Sequence, residues 1–415
     1  MPTCYDRIAK EIDHASGWLR FDQYMALALY APDVGYYERP HSLHPPKPTN
    51  LTNWPEPAPA NPRTPPTPPS VGPIGPPARG GDFITAPELS PLFASALCAQ
   101  LCEWFDSVPA RVLEFGAGTG QLAADLLQAC ARAGRVPEEY AIVEISASMR
   151  ERQRATIAQL APDLAARVRW LDQLPAQIEG VVLANELLDA LPVRLFVADA
   201  GKVFERGVVR LDPAGFAWSD RPAEPAFAQA VAQAIAEAGW SIESAQGYLS
   251  EWPEQAIGWA ASVAQRIQRG ALLLIDYGFP RAEFYHPARH TGTLMCHAQH
   301  RSHTDPLIHP GERDITAHVD FSAIAQAITG TGMHCAGYTS QARFLINCGL
   351  LNHLGALPAK AIREHSAQIA AVQMLLSEAE MGELFKAIAF TRHLPDTTPL
   401  GFHRGDRSMS LEPRS

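Results

Sequence analysis

Val112-Leu113-Glu114-Phe115-Gly116-Ala117-Gly118-Thr119-Gly120 is the stretch on which the fold turns. A short apolar run, Arg111–Phe115, reads as a strand, and Thr119–Ala133 reads as a helix, with three alternating glycines between them. Small residues at a strand-to-helix turn let the backbone approach a ligand closely, and the helix start favours an anionic group. The spacing is not that of the dinucleotide fingerprint G-x-G-x-x-G: the third glycine comes one position early, and an acid, Glu114, precedes the first by two residues.

Downstream the pattern repeats. Tyr140–Glu144 reads as a strand, Ala147–Leu160 as a helix, and Val168–Leu171 and Val181–Ala184 as two further strands. Such alternation predicts a doubly wound, mostly parallel α/β sheet with helices on both faces. Strand-like runs at Arg194–Val197, Val203–Val209 and Phe216–Trp218, between turn signals, predict an inserted hairpin or meander. Helices are expected over 225–238 and 253–268, then a strand at Ala271–Ile275. A helix over 320–329, a strand over 333–339, helices over 342–350 and 359–378 and a strand at Ala387–Phe390 complete the pattern.

Upstream, Pro91–Phe105 has helical spacing, and Tyr5–Leu29 reads as one or two helices. Pro40–Arg79 holds 15 of the 36 prolines and is expected to be an extended, mobile loop. The expected organisation is an N-terminal helical part (1–39), the proline-rich loop (40–79) and one domain over 80–415 with an insertion at about 193–268.

Composition narrows the function. In 415 residues, 34 Lys and Arg face 44 Asp and Glu; a net charge of −10 argues against a general nucleic-acid binder. Seven cysteines without a C-x-x-C pair read as reduced thiols. No run approaches the ~18 apolar residues of a membrane span. The N-terminus carries Asp6, Glu11 and Asp13, unlike a signal or transit peptide, so a cytoplasmic enzyme is expected.

The E-x-G-x-G-x-G of Glu114, Gly116, Gly118 and Gly120 resembles the first motif of class I S-adenosylmethionine (SAM)-dependent methyltransferases. Glu144, at the tip of the second strand, is placed to accept both ribose hydroxyls of a nucleoside. Asp172 follows the third strand and is either an acceptor for an adenine amino group or a turn residue. The fourth strand runs into Asn185-Glu186-Leu187-Leu188-Asp189, which supplies the catalytic candidates Asn185, Glu186 and Asp189. An acid pair suits a guanidinium, which a carboxylate can clamp and from which it can take a proton. Asp189 also reads as a helix cap.

Seven of the 15 histidines lie between His286 and His318, including His297-x-x-His300-x-x-His303. Turn residues and the lack of a cysteine pair there make them polar loop residues, with no metal expected. His318 is singled out as a hydrogen-bonding group or base in the substrate pocket.

Taken together, these motifs resemble the MidA family, whose mitochondrial members are complex I assembly factors with protein arginine methyltransferase activity. The resemblance is carried by Ala28-Leu29-Tyr30-Ala31-Pro32-Asp33-Val34-Gly35-Tyr36-Tyr37, Gly81-Asp82-Phe83-Ile84-Thr85-Ala86-Pro87-Glu88, the glycine motif, Asn185 to Pro192, Ile275-Asp276-Tyr277-Gly278 and Asp314-Ile315-Thr316-Ala317-His318. It implies a Rossmann-like seven-stranded class I methyltransferase fold and SAM contacts at Gly116, Gly118, Gly120 and Glu144. It further implies an active-site role for the Gly81–Phe93 segment, with Thr85 and Pro87 at the cofactor, and a protein acceptor such as a respiratory complex I subunit. Asp276-Tyr277-Gly278 either lines the pocket or forms a tight turn. A small-molecule methyltransferase and a non-catalytic assembly factor stand as alternatives.

Overall fold

The computed structural model describes residues 3–38, 85–211, 215–298, 301–356 and 362–413. The expected loop 40–79 and the start of the Gly81–Phe93 segment lie outside the described residues. Among the described residues the central sheet has one path of seven strands, β1 (Arg111–Phe115), β2 (Glu139–Val143), β3 (Val168–Leu171), β4 (Ile178–Asn185), β5 (Ile267–Phe279), β6 (His334–Ser340) and β7 (Phe385–Arg392), with the two-residue strand Val319–Asp320 pairing beside β5 as an eighth. The order along the path is 3-2-1-4-5-7-6. β7 runs antiparallel to both its neighbours, whereas the pairs from β3 across to β5 are parallel. The chain reverses direction across the sheet between β1 and β4, so a crevice opens beyond the ends of those two strands, where such sheets bind ligands.

The central strands are buried on both faces. Leu183 and Leu273 pack toward the helices Pro91–Trp104 and Gln121–Arg132, while Val182 and Leu272 pack toward Glu254–Arg266 and Phe321–Thr329. Near-continuous apolar runs, rather than alternation, are what a parallel strand covered on both sides requires. Local signals start the helices: Ser90 accepts from Leu92 N ahead of Pro91, and Ser146 accepts from Met149 N at the start of Ala147–Leu160.

β5 is much longer than its apolar run predicts, because Gly270, Asp276 and Gly278 belong to the strand. Gly278 is therefore not a turn glycine: a Cβ there would lie 2.1 Å from the Val319 carbonyl oxygen, since Val319–Asp320 pairs alongside β5.

A second, antiparallel sheet joins Leu19–Arg20, Arg194–Asp199, Lys202–Leu211, Gly215–Pro222 and Tyr248–Trp252. The helices Cys4–His14 and Phe21–Tyr30 cover one face through Ile8, Ile12, Tyr24 and Met25, and Pro225–Glu237 covers the other through Val231 and Ile235. The N-terminal acids have structural roles here: Asp6 forms a capping box with Thr3, and Asp13 pairs with Arg210. The histidine-rich stretch contributes a small three-stranded sheet, Met295–Ala298, Arg301–His303 and Asp314–Thr316.

Candidate functional site

The glycine loop leaves β1 with Gly116, Gly118 and Gly120 all at positive φ (67°, 50° and 84°). That backbone is costly for any residue with a Cβ. Gly118 faces open space, with nothing within 4 Å of where a Cβ would stand, whereas Gly120 sits tightly against Gln153. Gln153 is fully buried and joins the parts of this half-site. Its amide nitrogen donates to Gly118 O (3.1 Å) and to Glu144 Oε2 (3.0 Å), and its oxygen accepts from Trp170 Nε1 (2.8 Å). Ser146 N donates to the other Glu144 oxygen (2.9 Å). Glu144 is thereby held half-buried at the tip of β2, next to Ile145, an isoleucine 78% exposed. Open room over a glycine, a fixed carboxylate and an uncovered apolar side chain fit a nucleoside ligand such as SAM.

Glu114 and Asp172 border the same half-site with partners of their own. Glu114 is 1% exposed beneath the loop, where its carboxyl accepts from Tyr140 (2.8 Å) and burial pushes its pKa up to about 7. Asp172 is exposed at the rim and ion-paired with Arg150, which also donates to the Glu144 carbonyl.

The acids gather at the end of β4. Asp276 Oδ2, on β5, accepts from Leu187 N (3.1 Å), Leu188 N (2.8 Å) and Asp189 N (3.3 Å), and its Oδ1 accepts from Tyr277 N (2.9 Å). This carboxylate fixes the turn that carries the other two. Burial and the nearby charges of Asp189 and Glu186 push the Asp276 pKa upward, against the pull of those N–H donors.

Glu186 has a φ of 52°, a left-handed conformation that a non-glycine residue adopts only where its surroundings hold it there. Its Oε1 accepts from Asn185 Nδ2 (3.1 Å) and from Ala86 N (3.1 Å). Thr85, just ahead of the short helix Ala86–Leu89, and Pro87 within it flank that donor, and Thr119 of the glycine loop donates to Glu88 (3.3 Å). The 85–89 turn thus bridges the glycine loop and the acid turn. Burial, then Asp189, raises the Glu186 pKa to about 8; burial raises that of Asp189 to about 6.

Asp189 is 6% exposed, with one oxygen accepting from the Tyr277 hydroxyl (2.6 Å) and Oδ1 buried without a partner. Asn185 Oδ1 and His318 Nδ1 are likewise buried and unpartnered. His318 stacks on Phe279 (5.3 Å between ring centres) and meets the edge of Tyr277 (5.1 Å). Burial, then Arg289, lowers its pKa to about 4, so the imidazole is neutral at physiological pH. Three unpaired buried polar atoms in one neighbourhood are what a polar substrate would satisfy.

The structure therefore brings together Gly116, Gly118, Gly120 and Glu144 on one side, and Thr85, Pro87, Asn185, Glu186, Asp189 and His318 on the other. It adds residues that the sequence reading did not single out: Gln153, Ile145, Arg150, and Tyr30 with Tyr37. Tyr30 Oη donates to the Ala190 carbonyl (2.9 Å), and Tyr37 Oη to Asp314 Oδ1 (2.8 Å). The tyrosines lay within a quoted motif, but their place beside Asp189 depends on packing between distant segments. No helix among the described residues is long and apolar enough to cross a membrane.

Known proteins resemble this chain over most of its length. A family described as S-adenosyl-L-methionine-dependent methyltransferases matches residues 96–339. The chain is 31% identical over 343 residues to the mouse mitochondrial protein arginine methyltransferase NDUFAF7, covering 75% of each chain. It is 30% identical over 359 residues to the Drosophila melanogaster homologue, covering 78% of this chain and 79% of that one. A Burkholderia thailandensis protein solved with bound S-adenosyl-homocysteine (SAH) is 44% identical and superposes with a TM-score of 0.85, over 98% of this chain and 96% of that one. The curated relatives are named as mitochondrial, which overturns the cytoplasmic expectation. That expectation leaned on the N-terminal acids, which the fold uses for capping and pairing and which carry no address.

Proposed function

The chain belongs to the MidA family of SAM-dependent methyltransferases, and from that membership we propose that it methylates arginine side chains of a protein. The observation that carries this reading is the acid pair of half-buried Glu186 and buried Asp189, with Asp189 Oδ1 left unpartnered. The bound cofactor supplies an electrophilic methyl on a positively charged sulfur.

The chain's own residues orient and neutralise. Gly118 gives the ligand room, while Glu144, fixed by Gln153 and Ser146, presents its remaining lone pairs to the ribose hydroxyls. Glu186 and Asp189 receive the guanidinium at the end of β4, close to the glycine loop through the 85–89 turn. A cation arriving there lowers both carboxyl pKa values and draws them into the ionised form. Asp189, steadied by Tyr277, clamps the fork and takes the proton lost as the N–CH3 bond forms. Neutral His318 adds no charge that would repel the incoming cation. The depth of Asp189 suits a long acceptor side chain.

The curated relatives named as protein arginine methyltransferases support a protein acceptor. The finer assignment, a subunit of respiratory complex I, rests on the family resemblance. The test is transfer of a labelled methyl group from SAM into complex I subunits and arginine peptides, with methyl-arginine identified by mass spectrometry. Label on arginine, lost in Glu186→Gln and Asp189→Asn with SAH binding retained, supports the reading. Label on another residue, or none from a protein that binds SAM, refutes it.

A further inference from the structure

We propose that Tyr30 and Tyr37 form a fixed aromatic platform on which the acceptor's planar cation stacks before it reaches Asp189. The proposal rests on the arginine reading above and deepens it. It is carried by the Tyr30–Glu38 segment, which the glycine loop and the acid turn leave without a role.

The two rings stack with centres 5.4 Å apart and planes 21° from parallel, and Tyr36 packs its edge on Tyr37 at 5.1 Å. Both hydroxyls are anchored next to the acids. Tyr30 donates to the carbonyl of Ala190, the residue after Asp189, and Tyr37 donates to Asp314. The Asp314–Thr316 strand leads to Ala317, whose N–H donates to the Asp189 carbonyl (2.9 Å), and then to His318. Burial, together with the charges of Asp189 and Asp314, raises the phenol pKa values of Tyr30 and Tyr37, so both stay neutral donors.

Tyr30 is nevertheless 37% exposed. A tyrosine placed only for packing would not be pinned by its hydroxyl to the residue after a buried carboxylate, stacked on a second pinned tyrosine and still left exposed. Aromatic faces carry negative quadrupole density and attract a flat guanidinium, and the surrounding carboxylates add to that field. Pinned rings also lose little freedom when a ligand stacks on them. At its other end the segment reaches Glu38, which lies beside Glu144 and Ser146, so the same nine residues border both halves of the site.

The test uses SAH-loaded protein titrated calorimetrically with an arginine peptide and its lysine counterpart, alongside steady-state methyl transfer, for wild type, Tyr30→Leu and Tyr30→Phe. In Tyr30→Leu, arginine-peptide affinity is expected to fall and KM to rise about ten-fold, the loss of one cation–π contact. Affinity for SAH and the melting temperature should hold, and Tyr30→Phe should keep most of the wild-type affinity. Equal arginine-peptide affinity in wild type and Tyr30→Leu overturns the platform. So does a loss of SAH affinity or melting temperature that accounts for the rise in KM, since that would mark a structural role. A wild type that binds the arginine peptide but methylates none refutes the arginine reading and leaves the platform standing. A wild type that binds no arginine peptide overturns both.

Discussion

Gln153 shows how much of this site rests on one side chain outside any motif. Its amide ties the glycine loop to Glu144, and Trp170 fixes its orientation. Gln153→Met keeps the volume but removes both donated bonds, one of them to a carboxylate. SAH affinity is expected to fall about ten-fold or more, at about 1.5–3 kcal/mol for a bond to a charged group, with little change in acceptor KM; unchanged SAH affinity would show that the tie is dispensable. Glu186 makes stability depend on pH. Its pKa is about 8 when folded against the 4.5 of an ordinary glutamate, so the folded state holds the proton more tightly. The stability from that proton is complete below about 4.5 and is lost as pH rises through about 8. Melting curves of Glu186→Gln and wild type should therefore converge near the acid end, and the variant should be the more stable above pH 8; a pH-independent difference would refute the raised pKa. Glu144 and the three glycines were legible because their positions follow from strand tips and a turn. Gln153 was not, because a glutamine on a helix announces nothing until the helix is packed.

At the scale of elements, the turn after β4 depends on a neighbour 87–89 residues further along the chain. Asp276 on β5 accepts all three N–H groups of Leu187, Leu188 and Asp189, a cap supplied from another strand. Asp276→Ala leaves those donors buried and unpaired, at about 1–3 kcal/mol for each unsatisfied group. Thermal or denaturant unfolding should register the loss of stability, and methyl transfer should drop far more than SAH binding. A variant of normal activity would mean that Glu186 and Asp189 hold their positions unaided. Helix and strand centres were readable from periodicity: Ala147–Leu160 and Val168–Leu171 stand where the spacing puts them. The ends of β5 were not, since Gly270, Asp276 and Gly278 interrupt its apolar run and belong to the strand only because neighbouring backbones close against them. Tyr248–Trp252 escaped because its partner, Arg194–Asp199, lies about 50 residues back, and the three strands from Met295 to Thr316 escaped because they are short pieces without a clear alternation.

The whole molecule sets the site between two layers. The central sheet contributes the glycine loop and the acids, and the N-terminal helices with the second sheet contribute the tyrosines, so no single stretch of sequence contains the pocket. The central sheet was legible because each βα unit packs against its neighbour in sequence. Of the second layer, the meander over 194–222 was legible, its strands pairing in sequence order, but its closure was not, because Leu19–Arg20 pairs with Gly207 and Val208 across most of the chain. This arrangement has an electrostatic consequence. A net charge of −10, with Asp189 and Asp314 beside Tyr30 and Tyr37, should draw in basic segments over distances beyond contact. Such attraction between exposed charges is screened over about 8 Å at physiological salt and over about 3 Å at 1 M. The buried acids next to a bound guanidinium are screened far less. Raising salt should therefore slow capture of an arginine-rich acceptor, raising its KM several-fold, while kcat, set inside the pocket, stays level. SAH affinity, measured in parallel, should move little, because Gly118 and Glu144 act at contact. If KM is flat across the salt series, recognition is confined to the pocket; if kcat falls along with it, salt is acting on Glu186 and Asp189 themselves, and the division between steering and chemistry fails.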